Sequence, residues 1–365
     1  MLRRTFLQTA SGLPVIASLA AAPPPQRSIP LGFDTYSLRA FRWKAPQLLE
    51  YASSQKLDTI QISSLGDYDS LEPPYLAKIR DKAHGLGIHI DAGIGCICPL
   101  STGWNPKSGD PVQYILKGVG VAKAVGANSM RCFMGASADR RGKYGIAALM
   151  ENTIKTFRSA APQARDMGVK IALENHSGDM QAREVRTIIE ESGKDIIASC
   201  LDTGNPMWVV EDPLVTLEVL GPYVVTTHVR DSVVFEHPRG AAAQWVALGD
   251  GIIDFHKFFD RFAQLCPNAK VQLEIITGRP PTVLPYFEDE FWKVFPDARS
   301  SEFARFVKLA RDGHSYGGFM VIEDGDKNAP EEYHAALKAQ QKRDLERSLD
   351  YAKNGLGIGI RWRKG

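Results

Sequence analysis

The chain has 365 residues, of which 44% are hydrophobic and 24% are charged, a balance typical of a globular protein with a large core. Its 44 basic side chains nearly match its 42 acidic ones, so it lacks the positive surplus of a protein that binds nucleic acid. The 5 cysteines include no pair of CxxC motifs, which argues against a structural zinc site and predicts free thiols.

The N-terminus has the regions of a twin-arginine export signal in the expected order. Arg3 and Arg4 precede a short apolar stretch, Leu13–Ala22, that contains small residues near its end. This stretch is far shorter than the roughly 20 residues of a transmembrane helix. We therefore predict a signal peptide over residues 1–22 and a single domain over residues 23–365. The protein is expected to be periplasmic or secreted, with no membrane attachment after the signal is removed.

Short β-branched segments then alternate with longer amphipathic helical patterns, which is typical of a parallel sheet built from βα units. The predicted strands are Leu31–Tyr36, Thr59–Ser63, Ile88–Ala92, Ser129–Met134, Lys170–Glu174, Ile197–Asp202, Val224–Val229 and Val271–Ile276. The clearest helical patterns between them are Val112–Val125, Asn152–Met167 and Ala182–Ser192. Eight such units predict an α/β fold, the (β/α)8 TIM barrel. A doubly wound sheet is the alternative, but its glycine-rich turn is absent after the first strand.

Two segments are longer than the loops that connect strands and helices in a minimal barrel. Residues 232–251 follow the seventh predicted strand, and residues 277–328 form an extended insertion after the eighth, before a predicted final helix over Pro330–Asn354. Loops that follow barrel strands lie at the catalytic face, so both should shape the substrate pocket. The second insertion has aromatic residues that we interpret as a satellite core rather than as sugar-stacking platforms: Tyr286, Phe287, Phe291, Trp292 and Phe295.

Four consecutive predicted strands end in side chains suited to a divalent cation: Glu174, Asp202, His228 and Glu274. Their spacings of 28, 26 and 46 residues equal one βα unit, a second unit, and a third lengthened by residues 232–251. Because the carboxyl ends of barrel strands converge at the mouth, these side chains should meet at one point. Three carboxylates and an imidazole suit one divalent metal ion, namely Mn²⁺, Mg²⁺, Co²⁺ or Zn²⁺.

With these strand ends, the chain resembles the xylose-isomerase-like sugar isomerase and epimerase barrels, which include the ketose 3-epimerases and inosose dehydratases. The matching motifs are Leu-Glu-Asn-His at 173–176, Leu-Asp-Thr-Gly-Asn at 201–205, His-Val-Arg-Asp at 228–231 and Leu-Gly-Asp-Gly at 248–251. The resemblance implies that the four strand-end residues hold one divalent cation. It also implies that Glu174 and Glu274 are the catalytic acid and base, acting on opposite faces of a sugar carbon. The 277–328 insertion departs from the compact epimerases, so the family's specificity loops do not carry over.

Two further side chains are candidates for substrate binding. His176 lies two residues past Glu174, on the same side of an extended chain, and Arg230 stands in the same relation to His228. Each could bond a substrate oxygen, or could instead only orient its neighbours. Asp34 is interpreted as a packing residue.

These observations predict a divalent-metal-dependent sugar isomerase or epimerase. The enzyme would remove a proton next to a carbonyl and form a metal-stabilised enediolate. One alternative is a lyase or hydrolase of 3-oxo sugars or glycosides at the same metal site, and another is a non-catalytic sugar-binding barrel. In each case the expected partner is a small sugar and not a nucleic acid or a membrane, with no oligomeric state indicated.

Overall fold

The computed structural model describes residues 26–323 and 328–364, so the predicted signal peptide over residues 1–22 lies outside the described residues. The strands are β1 (Leu31–Phe33), β2 (Thr59–Ile62), β3 (His89–Cys96), β4 (Ser129–Phe133), β5 (Lys170–Glu174), β6 (Ile197–Asp202), β7 (Val224–His228), β8 (Asp231–His237), β9 (Gly240–Val246), β10 (Val271–Leu273) and β11 (Thr282–Leu284). The helices are α1 (Ala45–Ser54), α2 (Pro73–Leu86), α3 (Pro111–Ala124), α4 (Ser137–Arg140), α5 (Gly145–Met167), α6 (Ala182–Ser192), α7 (Pro213–Leu220), α8 (Phe255–Leu265), α9 (Asp289–Trp292), α10 (Ser300–Asp312) and α11 (Glu331–Asp350).

Hydrogen bonding closes eight of these strands into a TIM barrel, which confirms the predicted fold. Strands β2 to β7 pair in parallel in chain order, and β1 pairs in parallel with β10. Two single bridges join these sheets, from Asp34 after β1 to Gln61 on β2, and from Val229 after β7 to Leu273 on β10. The barrel strands overlap all eight predicted segments, and the doubly wound alternative is excluded because the sheet closes on itself.

The helices pack their apolar faces around the barrel. α3 begins after Asp110, whose carboxylate accepts a hydrogen bond from the Gln113 N–H, and α5 ends at Gly168, which has a φ of 71°. α5 begins at Gly145, before the predicted start at Asn152. Its additional N-terminal turn places Leu149 in the hydrophobic core. All 5 cysteines are buried free thiols, as expected. Within the described part of the chain, no helix is long and apolar enough to cross a membrane.

Both insertions contribute to one small antiparallel sheet next to the end of β7. β8 and β9 form a hairpin, and β11 from the second insertion pairs with β9, so the strand order is β11, β9, β8. α9 and α10 cover this sheet with a second hydrophobic core that contains Tyr286, Phe291 and Phe295. Phe287 is 70% exposed and stays outside this core. The structure therefore supports the satellite-core interpretation for most of these aromatic residues.

Candidate metal centre and active site

The four predicted ligands lie together at the carboxyl ends of neighbouring strands. Glu174, Asp202 and His228 are the last residues of β5, β6 and β7, and Glu274 directly follows β10. Each residue offers one ligand atom, and these four atoms lie within 4.8 Å of one another. The parallel register places Asp202 opposite His228, so the βα spacing in the sequence becomes proximity at the barrel mouth.

Two buried arginines neutralise part of the negative charge of this cluster. Arg131 on β4 pairs with Glu174. Arg230 pairs with Asp202 and, at 2.7 Å, with Glu274. Carboxylates at this depth would be costly without such partners.

His228 gives the clearest indication that the cluster can hold a cation. Its Nδ1 lies 3.3 Å from Glu174 Oε1 and 3.4 Å from Glu274 Oε2, yet this buried atom has no well-directed hydrogen bond. Its Nε2 contacts Gln61 Oε1 and lies 3.3 Å from Asp34 Oδ2. Because the Gln61 amide oxygen can only accept, Nε2 is the donor of that hydrogen bond, and Nδ1 is the atom that can bind a metal ion.

The remaining charge of the cluster also fits a divalent ion. The buried carboxylates outnumber the buried guanidiniums by two, and a proton on His228 offsets only part of that excess. The carboxylates are those of Asp34, Glu174, Asp202 and Glu274, and the guanidiniums are those of Arg131 and Arg230. A divalent cation would cancel this excess, so the residues present fit a metal ion.

The pKa values favour ionised ligands at neutral pH. Burial alone would raise the pKa of Glu174, but Arg131 and His228 together outweigh burial and hold that pKa well below its usual range. Arg230 and His228 together likewise overcome burial and lower the pKa of Glu274 to about 2. At Asp202 burial prevails over Arg230 and raises the pKa to about 6. All three carboxylates are therefore mostly ionised at pH 7.

The same surroundings raise the pKa of His228 instead of lowering it. Burial would lower the pKa of His228, but the neighbouring Cys200, Glu274 and Glu174 together raise it well above its usual range. A cation bound at Nδ1 would take the place of the proton that these carboxylates favour.

A cavity of about 590 Å³ opens onto the cluster. The predicted substrate-binding residues His176 and Arg230 line it together with Glu274. Other parts of the chain complete the wall with larger side chains, namely Tyr36, Tyr114, Arg131, Phe133, Trp245 and Arg279. The cavity therefore joins the cluster of candidate metal ligands to residues from both insertions.

The two predicted substrate-binding residues have defined orientations. The His176 ring stacks on Phe133 with a centroid distance of 3.9 Å, and its Nδ1 lies 2.6 Å from the Gly135 carbonyl oxygen. That carbonyl can only accept, so Nδ1 is the donor and Nε2 remains a hydrogen-bond acceptor. Arg230 is 2% exposed, and its guanidinium carbon lies 4.6 Å from the centroid of the Trp245 ring.

The glycine of the Leu-Asp-Thr-Gly-Asn motif makes room for Arg230. A Cβ at Gly204 would lie 2.7 Å from Arg230 Cγ and 3.0 Å from Trp245 Cδ1. The close packing fixes the direction from which the guanidinium reaches Asp202 and Glu274.

Several residues of this site do not stand out in the sequence or have another role there than predicted. Arg131 lies between Met130 and Cys132 in the buried strand β4, and a charged residue in such a position signals a buried partner. The sequence predicts Asp34 to be a packing residue, but its carboxylate oxygen Oδ2 lies 3.3 Å from His228 Nε2. Asp34 follows β1 just as Glu274 follows β10, so the same strand-end criterion could have found it. Trp245 and Arg279 gave no signal in the sequence pattern.

The chain matches a known protein family over most of the barrel. Residues 49–285 match the family described as xylose isomerase-like TIM barrel. The 3-oxo-isoapionate decarboxylase of Pectobacterium atrosepticum is 22% identical over 242 residues, which are 62% of this chain and 78% of that protein.

Solved structures show the same fold at low sequence identity. A D-psicose 3-epimerase with D-tagatose from Clostridium cellulolyticum H10 is 16% identical with a TM-score of 0.58, covering 90% of this chain and 100% of that chain. A xylose isomerase-like TIM barrel protein from Mycobacterium smegmatis in complex with magnesium is 14% identical with a TM-score of 0.53, covering 79% and 99%.

Proposed function

Because the chain belongs to the xylose isomerase-like TIM barrel family, we propose that it is a divalent-metal-dependent sugar isomerase or epimerase. The observation that carries the proposal is the buried cluster of three carboxylates and one imidazole beside a cavity of about 590 Å³. Two structures of the same fold support it, since one contains D-tagatose and the other magnesium.

The proposed metal ligands are Glu174, Asp202, His228 and Glu274, and the proposed ion is Mn²⁺, Mg²⁺, Co²⁺ or Zn²⁺. A divalent ion bound there would polarise a sugar carbonyl and stabilise the negative charge of an enediolate.

Glu274 is the proposed base. Its carboxylate lines the cavity, and Arg230 and His228 together keep it ionised by lowering its pKa to about 2 against the effect of burial. A carboxylate at the cavity wall can reach a proton on a sugar carbon, which is the geometric requirement for a general base.

Glu174 is the proposed second acid-base group, and it lies deeper. Its Oε2 is held by Arg131, and its Oε1 lies 3.3 Å from the Asn205 side-chain nitrogen. Epimerisation by two bases requires an acid-base group on each face of the substrate carbon, and Glu174 is the one proposed opposite Glu274, whereas isomerisation and elimination can proceed with Glu274 alone.

His176 and Arg230 are the proposed substrate-binding residues. The Nε2 atom of His176 can accept a hydrogen bond from a sugar hydroxyl, because Nδ1 is occupied by the Gly135 carbonyl. Arg230 holds Glu274 in place and also faces the cavity.

A lyase acting on a 3-oxo sugar is the second candidate, because the related Pectobacterium protein is named a 3-oxo-isoapionate decarboxylase. In a decarboxylation, the bond between the carboxyl carbon and its neighbour breaks and carbon dioxide leaves. The electron pair of that bond then forms an enolate, which takes up a proton from an acid. This intermediate resembles the enediolate, so the same cluster would serve either reaction.

Exchange of a carbon-bound proton tests the proposal. Protein loaded with Mn²⁺ is incubated in deuterated water with neutral ketoses, 3-oxo glycosides and 3-oxo sugar acids, and exchange is followed by NMR. We expect deuterium incorporation that EDTA abolishes. Release of carbon dioxide or another fragment would favour the lyase, and sugar binding without either reaction would favour a binding barrel.

Glu274→Gln assigns the base. The variant should retain metal but lose exchange by at least about 100-fold, because an amide cannot accept the proton at neutral pH. Glu218→Gln is the control, since Glu218 pairs with Arg261 on the surface. Exchange at the wild-type rate in Glu274→Gln protein would contradict the assigned role.

A further inference from the structure

The two insertions together build one wall of the cavity. Trp245 on β9 and Arg279 after β10 line the same cavity as Glu274. Gln244, the neighbour of Trp245, donates a hydrogen bond from Nε2 to the Arg279 carbonyl oxygen at 2.7 Å. The hairpin thus helps to position the segment that carries Arg279.

The backbone before Arg279 is also tightly placed. Gly278 has a φ of 91°, in the left-handed region that favours glycine, and a Cβ there would lie 2.8 Å from the Val321 carbonyl oxygen. The Gly278 carbonyl oxygen accepts a hydrogen bond from the Glu323 N–H at 2.9 Å. Arg279 therefore extends from a defined point of the cavity rim.

Among the described residues, the positive charge of Arg279 is only partly balanced. Its Nη2 lies 3.4 Å from Glu323 Oε2, but Glu323 already accepts hydrogen bonds from Arg39 at 3.2 and 2.6 Å. One carboxylate therefore faces two guanidiniums. The Arg279 side chain is 42% exposed, so it can still donate hydrogen bonds to a ligand.

The other two arginines of the cavity wall are engaged at the metal-ligating cluster. Arg131 pairs with Glu174, and Arg230 pairs with Asp202 and Glu274. Once a divalent cation balances that cluster, the excess positive charge of the described cavity wall lies at its rim.

We propose that Arg279 binds a carboxylate of the substrate, so that the substrate is a sugar acid. A guanidinium and a carboxylate are planar and can form two parallel hydrogen bonds. A phosphate monoester carries more charge than one partly balanced guanidinium neutralises, so the wall suits a carboxylate better. This inference rests on the proposed function, which makes the substrate a sugar, and it narrows the substrate to a sugar acid.

Binding of matched sugars tests this inference without turnover. Manganese-loaded protein is titrated calorimetrically with D-glucuronate, D-galacturonate, D-mannuronate and L-iduronate, each beside its neutral methyl ester, and with D-glucose 6-phosphate. We expect at least one acid to bind about tenfold more tightly than its ester, as for a hydrogen bond between charged groups. Arg279→Gln should bring this ratio close to one, and Arg279→Lys should restore part of it.

Arg311→Gln is the control, because it removes the same charge from a side chain on α10 that is 72% exposed. Equal affinity of every acid and ester would overturn the inference. An acid preference that survives Arg279→Gln would also overturn it, because the carboxylate would then bind elsewhere. Tighter binding of the phosphate than of all acids would overturn it in favour of a phosphosugar. Proton exchange on neutral sugars is measured separately, so the proposed function can fail or stand independently.

Discussion

Residues outside the four candidate metal ligands hold Asp202 in its orientation. The Oδ1 atom of Asp202 accepts hydrogen bonds from the N–H groups of Gly204 and Asn205, both at 2.7 Å. The Asn175 side chain bonds the backbone of Asp202 in both directions, at 2.9 and 2.8 Å. These contacts join the Leu-Glu-Asn-His and Leu-Asp-Thr-Gly-Asn motifs and leave Asp202 Oδ2 facing the cluster. The asparagine of the first motif is explained by this positioning, and the Asn205 side chain of the second donates a hydrogen bond to the Asn175 carbonyl oxygen at 2.9 Å.

Removal of one proposed ligand should weaken metal binding. His228→Ala is expected to bind Mn²⁺ at least about 10-fold less tightly, because no neighbour supplies another imidazole. Wild-type protein should gain about 2.7 kcal/mol of stability when Mn²⁺ is present at 100 times its dissociation constant, and EDTA should reverse this gain. Calorimetry and thermal unfolding with and without metal measure both effects.

The metal-dependent shift in melting temperature, rather than the melting temperature itself, is the decisive value for His228→Ala. His256→Ala, which removes an exposed imidazole on α8, should retain the full shift. A wild-type shift in the His228→Ala protein would show that this residue is not a ligand.

Among the secondary-structure elements, a single carboxylate joins the hairpin to the turn before α8. Asp231 begins β8 and accepts hydrogen bonds from the N–H groups of Ser232, Gly249 and Gly251 at 2.8, 3.1 and 3.0 Å. A Cβ at Gly251 would lie 2.0 Å from the Asp231 carboxylate, so the turn requires glycine there. The His-Val-Arg-Asp and Leu-Gly-Asp-Gly motifs therefore form one structural unit.

Asp231→Asn should destabilise the protein by about 1 to 3 kcal/mol, because its amide group would turn a donor toward backbone donors. The free energy of unfolding in urea measures this loss. Asp166→Asn, on the exposed face of α5, should change it little. Equal stability of the two variants would contradict the role given to Asp231.

A second buried carboxylate connects α6 with α7. Glu211 accepts hydrogen bonds from Thr216 Oγ1 at 2.5 Å and from the Ala182 N–H at 3.3 Å. Burial raises the pKa of Glu211 from 4.5 to about 7. Because the folded state holds this proton more tightly than the unfolded state, the stabilising contribution is complete below pH 4.5 and is lost as pH rises through 7.

The stability of wild-type protein relative to Glu211→Gln should therefore fall between about pH 5 and pH 8. The two pKa values correspond to a change of roughly 3 kcal/mol at most. Urea unfolding of both proteins at several pH values gives the difference directly, since other titrating groups are common to both. A difference that is constant or that grows with pH would contradict this assignment.

At the scale of the whole molecule, we propose that residues 1–22 direct export by the twin-arginine route. Fusion of residues 1–30 to a reporter should give transport out of the cytoplasm, and replacement of both Arg3 and Arg4 by Lys should abolish it. Transport that is unchanged by these substitutions would indicate another route. Cell fractionation measures the outcome, and a fusion of residues 31–60 is the control.

The barrel and the meeting of the four strand-end side chains could be predicted because both follow from local pattern. Strand and helix positions depend on hydrophobic periodicity, and the end of each strand fixes where its side chain lies in a closed parallel sheet. Glu174, Asp202 and His228 therefore lie together at the barrel mouth, as their βα spacing predicts.

The partners and surroundings of these ligands were decided by tertiary structure. Arg131 and Glu174 are 43 residues apart, and Arg39 and Glu323 are 284 apart. Likewise, β11 joins β9 from a separate insertion, which brings Arg279 to the cavity. Hydrophobic periodicity is a local pattern and does not encode contacts between residues so far apart in the sequence. These contacts depend on how the strands and helices pack against one another.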